Sequence, residues 1–159
     1  MKLRLYSQLK HVHLLKAYSL NDVTHTDSPQ SIISKTQSDN ERYSVVITDN
    51  DESNIIGFFC LHIGSGPEEY GFYQKGYALV RGFSIDDRYK NQGYGSKALN
   101  DIFDFMDSNL DLKIDNVILA VNENNIFAQK AYKKSGFTVI KNNIEGKLGK
   151  LLIMEKSRA

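Results

Sequence analysis

The chain has 159 residues, 41% hydrophobic and 25% charged, a globular composition that excludes disordered, repeat and low-complexity classes. A formal net charge of +1 argues against a dedicated nucleic-acid binder, and the single cysteine, Cys60, excludes an internal disulfide framework. No apolar run reaches the roughly eighteen residues of a membrane span, and Lys10, His11 and His13 interrupt the stretch where a signal peptide would be apolar, so one cytoplasmic domain over residues 1–159 is expected.

In chain order, residues 3–6 read as a short strand and residues 10–19 as a helix with Val12, Leu14, Leu15 and Tyr18 as a partial apolar stripe. The polar stretch 21–27 is a loop. Ser28-Pro29 has the form of an N-cap followed by proline at the first helical position, predicting a second helix over 29–38. Residues 43–48 and 54–63 are β-branched and aromatic runs around a polar turn, a hairpin in which Cys60 is a buried structural thiol. Residues 64–76 are turn-rich and carry Glu68 and Glu69. A strand over 77–85 leads through residues 86–92 into a helix over 93–108, where Ala98, Leu99, Ile102, Phe103 and Met106 recur at helical spacing. An apolar strand over 114–121, a helix over 124–135 ended by Gly136, and a hairpin of 137–141 with 148–155 around Gly146 complete the chain. The implied architecture is α/β, a mixed central sheet of seven strands with helices on both faces.

Two segments carry the chemistry. Lys90-Asn91-Gln92-Gly93-Tyr94-Gly95-Ser96 places two glycines at the mouth of an amphipathic helix. There the unpaired backbone N–H groups and the positive end of the helix dipole can hold phosphate oxygens, and glycine lets the backbone approach closely. Residues 93–98 also satisfy the dinucleotide fingerprint G-x-G-x-x-A. In that fold, however, the first glycine follows its strand almost at once and an acidic residue closes the next strand. Here seven residues intervene and Asp115 opens the next strand. No Gly-Lys-Ser/Thr run supports a Walker P-loop.

The second segment runs from Val121 to Phe137. On its helix Asn125, Ala128, Gln129 and Tyr132 are spaced i, i+3, i+4 and i+7, so one face can read one ligand. Together the two segments resemble the acyl-CoA signature of the GCN5-related N-acetyltransferases. Lys90, Gly93 and Gly95 follow the pattern of the first family segment, with Lys90 in place of the usual Arg or Gln; Val121, Asn125, Ala128, Tyr132, Gly136 and Phe137 follow the second without departure. The run from Phe83 to Lys90 is similar to bacterial members of the diamine and polyamine acetyltransferase type.

The resemblance implies the acyl-CoA N-acyltransferase fold, acetyl-CoA as cosubstrate and an acetyl group transferred to a primary amine of a small molecule by direct attack in a ternary complex. It further implies that the 91–96 backbone clasps the diphosphate, that main chain at Phe83, Ser84 and Ile85 pairs with the pantetheine arm, and that Asn125 contacts the pantetheine or nearby backbone. Small Ala128 lets the cofactor approach, and Tyr132 points at the thioester sulfur. Chemically, amine attack expels a thiolate, and a phenol with a pKa of about 10 stays protonated at neutral pH and can donate to it.

A general base is not singled out. Residues 77–85 contain no carboxylate, only Arg81, and Glu68, Glu69, Asp86 and Glu123 are candidates elsewhere. Arg81 suits either an anionic substrate group or a carboxylate partner, whereas Glu68, Glu69 and Asp86 on the acceptor side would suit a polycation. His11, His13, His25 and His62 show no metal-ligand spacing. Peptide or aminoglycoside amines, a non-catalytic acyl-CoA sensor, and monomer or homodimer stay open; neither nucleic acid nor membrane is expected as a partner.

Overall fold

The computed structural model describes residues 1–158. Its elements are β1 (Lys2–Leu5), α1 (Gln8–His11), a 3-10 turn (Leu14–Ala17), α2 (Pro29–Thr36), β2 (Arg42–Thr48), β3 (Ile55–His62) and α3 (Ser65–Glu68), followed by β4 (Tyr77–Ile85) and a second 3-10 turn (Asp87–Tyr89). The chain continues through α4 (Tyr94–Asn100), α5 (Ile102–Asn109), β5 (Asn116–Asn122), α6 (Ile126–Lys134), β6 (Thr138–Gly146) and β7 (Gly149–Ser157). The seven strands make one sheet in the order β1-β2-β3-β4-β5-β7-β6. Every neighbouring pair is antiparallel except β4 with β5.

Burial explains the patterning. All eight residues of β3 are buried, because helices and loops cover both faces of the sheet there, and a strand covered twice reads as a continuous apolar run. On one face Ala98, Leu99, Ile102, Phe105 and Met106 from α4 and α5 pack over Val45, Phe59 and Val80, with Phe137 beside them. On the other, Leu15, Ile32 and Ile33 cover Val46, Phe58 and Cys60, and Phe72 covers Leu79, Ile118 and Ile153. Ser28 caps α2 by accepting the Ser31 N–H, with Pro29 in the first turn.

Among the boundaries that differ from the sequence expectation, four change the elements themselves. The helix expected over 10–19 is the short α1 and a separate 3-10 turn. Its stripe has little core to lie on: Leu15 is buried but Val12 is exposed, and the Ser7 N–H is taken by His11 Nδ1 at 2.8 Å. The helix expected over 93–108 breaks at Asp101, which sits at φ −90°, ψ 0°, a conformation that the low helix propensity of Asn100 and Asp101 favours. The segment 64–76 includes the helical turn α3. The last hairpin turns at Lys147-Leu148, between the paired Gly146 and Gly149, rather than around Gly146.

One irregularity shapes the centre. Phe58 pairs with Ser84 and Cys60 with Arg81, so Gly82 and Phe83 together oppose Phe59 alone, a β-bulge. Gly82 takes φ +60°, and a side chain there would run into Ile32. Beyond it β4 turns away from β5. The parallel ladder extends only from Tyr77 with Asn116 to Val80 with Leu119, although β4 runs on to Ile85 and β5 to Asn122.

Candidate active site

Where β4 and β5 part, the two facing strand edges lose their ladder partners and a cleft of about 340 Å³ opens. Its lining includes Arg81, Gly82 and Phe83 from β4, Leu119 to Asn122 from β5, and Asn125, Ala128 and Tyr132 from the α6 segment. His25 and Thr26 from the loop before α2, Tyr70 after α3, Leu79 and Val80 of β4 and Leu151 of β7 complete it. Alternate residues of a strand point to opposite faces, so the cleft pierces the sheet. Phe83 and Tyr132 belong with the core on the α4–α6 face, whereas Tyr70 packs with the cluster on the other.

Tyr132 is a half-buried phenol in contact with this gap. Its ring meets Phe83 edge to face, with centroids 6.4 Å apart, and tilts against Phe137 at 6.1 Å. Phe83 in turn stacks on Phe59 at 5.7 Å. Burial pushes the Tyr132 hydroxyl up to about 12, since a desolvated phenolate is unfavourable. The hydroxyl has no hydrogen-bond partner among the described residues, and the side chain stays a protonated donor through neutral pH.

The glycine segment opens α4 as a turn with two left-handed residues, Asn91 at φ +61° and Gly93 at φ +82°. Asparagine tolerates that region better than most residues. Gly93 offers no side-chain cap, so the first-turn N–H groups of Tyr94, Gly95 and Ser96 face outward without an intrahelical acceptor. A side chain at Gly95 would press on Phe83 at 3.3 Å, which ties the second glycine to the ring pair of the cleft. Lys90 is held by Asp87 at 2.8 Å and Gln92 donates to the Arg88 carbonyl at 3.3 Å, so these two side chains are engaged within the protein. Ser84 is buried, its hydroxyl 2.8 Å from the Tyr18 hydroxyl.

Asn125 is the N-cap of α6 rather than a helical residue; its Oδ1 accepts the Ala128 N–H at 3.2 Å while the residue lines the cleft. The expectation that Gln129 shares the ligand-reading face is corrected. Gln129 is buried, and its Nε2 donates to the carbonyls of Asn122 and Glu123, both at 2.9 Å. It therefore braces the turn between β5 and α6.

Of the base candidates, Asp86 is removed by its surroundings. It is fully buried and accepts from the Ser19 N–H at 3.0 Å, the Arg88 N–H at 2.8 Å and the Arg88 guanidinium at 2.9 and 3.1 Å. Burial alone would raise its carboxyl, but the Arg88 side chain and these N–H groups outweigh that and hold it below the ordinary range. Glu68 and Glu123 are exposed and outside the cleft lining. Glu69 is paired with Arg81 Nη2 at 2.6 Å.

Arg81 belongs to a longer chain of contacts. Its Nε donates to His62 Nδ1 at 3.0 Å, so the His62 proton sits on Nε2, 3.0 Å from Ser65 Oγ, and Ser65 donates onward to Glu41 at 2.7 Å. Burial and then the charges of Arg42 and Arg81 keep His62 below its ordinary value and neutral. Arg81 Nη1 is left without a partner among the described residues. Burial and then the Glu69 carboxylate raise the Tyr70 hydroxyl.

Sequence reasoning missed His25, Thr26, Tyr70, His62, Gly82 and Asn122. Gly82 carried a faint signal, as a glycine inside a strand pattern. His25 and Thr26 lie in a polar loop with nothing in the sequence to aim it at the sheet; it is drawn there by Asp86 and Asp87, which accept from Ser19 and Asn21. Among the described residues, no group of three His, Cys, Asp or Glu side chains is placed to hold a metal ion, and no helix is long and apolar enough to cross a membrane.

The sequence model described as the Acetyltransferase (GNAT) family matches residues 11–137. The chain belongs to this family. Over 149 residues, 91% of this chain and 90% of the relative, it is 31% identical to YbbJ of Bacillus subtilis (strain 168), an uncharacterized N-acetyltransferase. The fold is similar to the spermidine N-acetyltransferase SpeG of Vibrio cholerae. A complex of SpeG with CoA and spermine superimposes with a TM-score of 0.64 at 20% identity, covering 98% of this chain and 94% of SpeG. A SpeG point mutant gives 0.67 at 19% identity, covering 99% and 95%. As a GNAT member the protein is an acetyl-CoA-dependent N-acetyltransferase.

Proposed function

We propose that this chain, as one cytoplasmic domain, moves the acetyl group of acetyl-CoA to a primary amine of a small molecule by direct attack within a ternary complex. The observation that carries the reading is the cleft through the sheet, with a half-buried, partnerless phenol on one side and exposed polar residues on the other. The acyl thioester would enter along the unpaired edge of β4, main chain at Phe83, Ser84 and Ile85 running beside the pantetheine. Backbone N–H groups from Asn91 to Ser96 would hold the diphosphate, and Ala128 leaves room for the arm. Tyr132 would donate its proton to the departing thiolate.

Direct attack is supported by the lack of a thiol at the cleft. The one cysteine of the chain, Cys60, is buried in the cluster under α2, and burial raises its pKa, so it does not supply an acyl-accepting thiolate.

A diamine or polyamine acceptor is supported by Glu68 and Glu69, exposed just ahead of cleft-lining Tyr70, and by the neighbours that are spermidine N-acetyltransferases, one of them holding spermine. Arg81 favours a second reading. It is the one Lys, Arg, Asp or Glu among the lining residues, and its free Nη1 suits an amine that also carries a carboxylate or phosphate. An amine panel with acetyl-CoA, followed by thiol release, tests both. Turnover of spermidine or putrescine supports the first, turnover confined to amino-acid-like amines supports the second, and no turnover with any amine contradicts the proposed activity.

A further inference from the structure

The carboxylates considered as bases are buried and paired, paired with Arg81, or outside the lining, yet the nucleophile must lose a proton. An alkylammonium of pKa about 10 is neutral in only about one part in a thousand at pH 7. On the cleft face away from Tyr132 stands His25, exposed at the mouth, with its Nδ1 3.0 Å from the Asn122 carboxamide nitrogen. Asn122 carries a second signal: its Oδ1 is buried and is the one such side-chain atom without a hydrogen-bond partner among the described residues. Turning the carboxamide half round, an exchange decided by hydrogen-bonding partners alone, lets Oδ1 accept the His25 Nδ1–H. The exchange puts the Nδ2 group in the buried position that Oδ1 held, so it is the contact with His25 that selects this orientation.

The geometry points to His25 as the proton acceptor for the incoming amine, oriented by Asn122, an inference that rests on the proposed amine acylation. With Nδ1–H held by Asn122, the bare Nε2 takes a proton from the substrate ammonium, and exposure lets the imidazolium pass it to solvent. The neutral amine nitrogen forms the C–N bond as the C–S bond breaks, and the thiolate is protonated by Tyr132. The second proton leaving nitrogen returns through water to the Tyr132 oxygen. One amide, one thiol and one proton in solution result, and the acid and base act from opposite faces of the sheet. The ionisable groups around His25 are Asp22 on its own loop, Arg81 on β4, Tyr70 after α3 and Tyr132 on α6; Asn122 on β5 and Leu151 on β7 are uncharged.

The test compares wild type with His25→Gln, using the best amine of the panel. His25 is exposed, so the variant should fold. Expected is a kcat about 100-fold lower at pH 7, a KM for acetyl-CoA within twofold, and a rate that climbs about tenfold per pH unit toward the amine's own pKa. Asn122→Leu should behave in the same way, and Asn122→Asp, which keeps an acceptor for the His25 Nδ1–H, should recover turnover relative to Asn122→Leu. A His25→Gln enzyme within threefold of wild type at pH 7, or a deficit equal at every pH, overturns the assignment. If wild type turns over no amine, the acylation proposal itself fails, and the ring still reports independently. In the acetyl-CoA complex, long-range nitrogen-15 correlation should find His25 protonated on Nδ1 and bare on Nε2, and the opposite tautomer overturns the inference.

Discussion

Phe83 and Tyr132 meet edge to face, with centroids 6.4 Å apart and planes at 84°, across the point where β4 leaves β5. Phe59 lies behind one ring and Phe137 beside the other. Gly95, at the start of α4, admits Phe83 because it carries no side chain. The glycine turn, the bulge and the tyrosine helix are therefore one packed unit, and a change in any of them is felt at the cleft.

Tyr132→Phe removes a hydroxyl that has no protein partner and keeps the ring packing. Thermal stability should be unchanged and acetyl-CoA affinity should stay within twofold by calorimetry. The kcat should fall about 100-fold if the phenol protonates the thiolate. Because burial places the group near 12, the wild-type rate should show no alkaline loss from this residue through pH 10.

The two glycines of the turn should fail differently. Gly93 sits at φ +82° with open space around it, so Gly93→Ala costs about 1 kcal/mol of backbone strain, read as a lower denaturant midpoint, and Gly93→Asn costs less. At Gly95 the added methyl meets Phe83; Gly95→Ala should leave stability nearly intact and raise the KM for acetyl-CoA about tenfold. Equal kinetic effects at both positions would contradict this division.

Much of the fold was legible because its elements announce themselves locally. Ser28-Pro29 marked the start of α2, the apolar run of β3 marked a strand covered on both faces, and Gly136 marked the end of α6. The break at Asp101 and the short α1 depend on what lies opposite in the core, which a helical stripe does not encode. Of the residues the sequence singled out, Tyr132 lines the cleft and Gly95 lies against cleft-lining Phe83. The other wall was not legible, since His25, Tyr70 and Asn122 come from separate segments that a register shift at Gly82 brings together. Asp86 looked like a candidate base only until its partners were known.

Asp86 should be a structural carboxylate. Its depressed pKa contributes stability that is present above the ordinary carboxylate value of 3.8 and is lost as pH falls through the lower folded value. Asp86→Ala leaves the Arg88 guanidinium and the Ser19 N–H without their acceptor and should cost about 3 kcal/mol near neutral pH. The gap between variant and wild type should narrow below pH 4 in acid titrations of unfolding. A variant as stable as wild type at pH 7 would refute this role.

Arg81→Ala releases Glu69 at the cleft mouth. For a polycationic acceptor the KM should fall about fivefold, in keeping with about 1 kcal/mol for an exposed ion pair, while kcat holds. A tenfold rise in KM for carboxylate-bearing amines would instead identify Arg81 as their anchor.

The most direct measurement is a crystal structure of the protein with CoA. The account predicts the diphosphate against the backbone N–H groups between Asn91 and Ser96, the pantetheine along β4 where β5 has left it, and the sulfur within hydrogen-bond reach of the Tyr132 hydroxyl. A diphosphate bound away from that turn, or a sulfur remote from Tyr132, would contradict it.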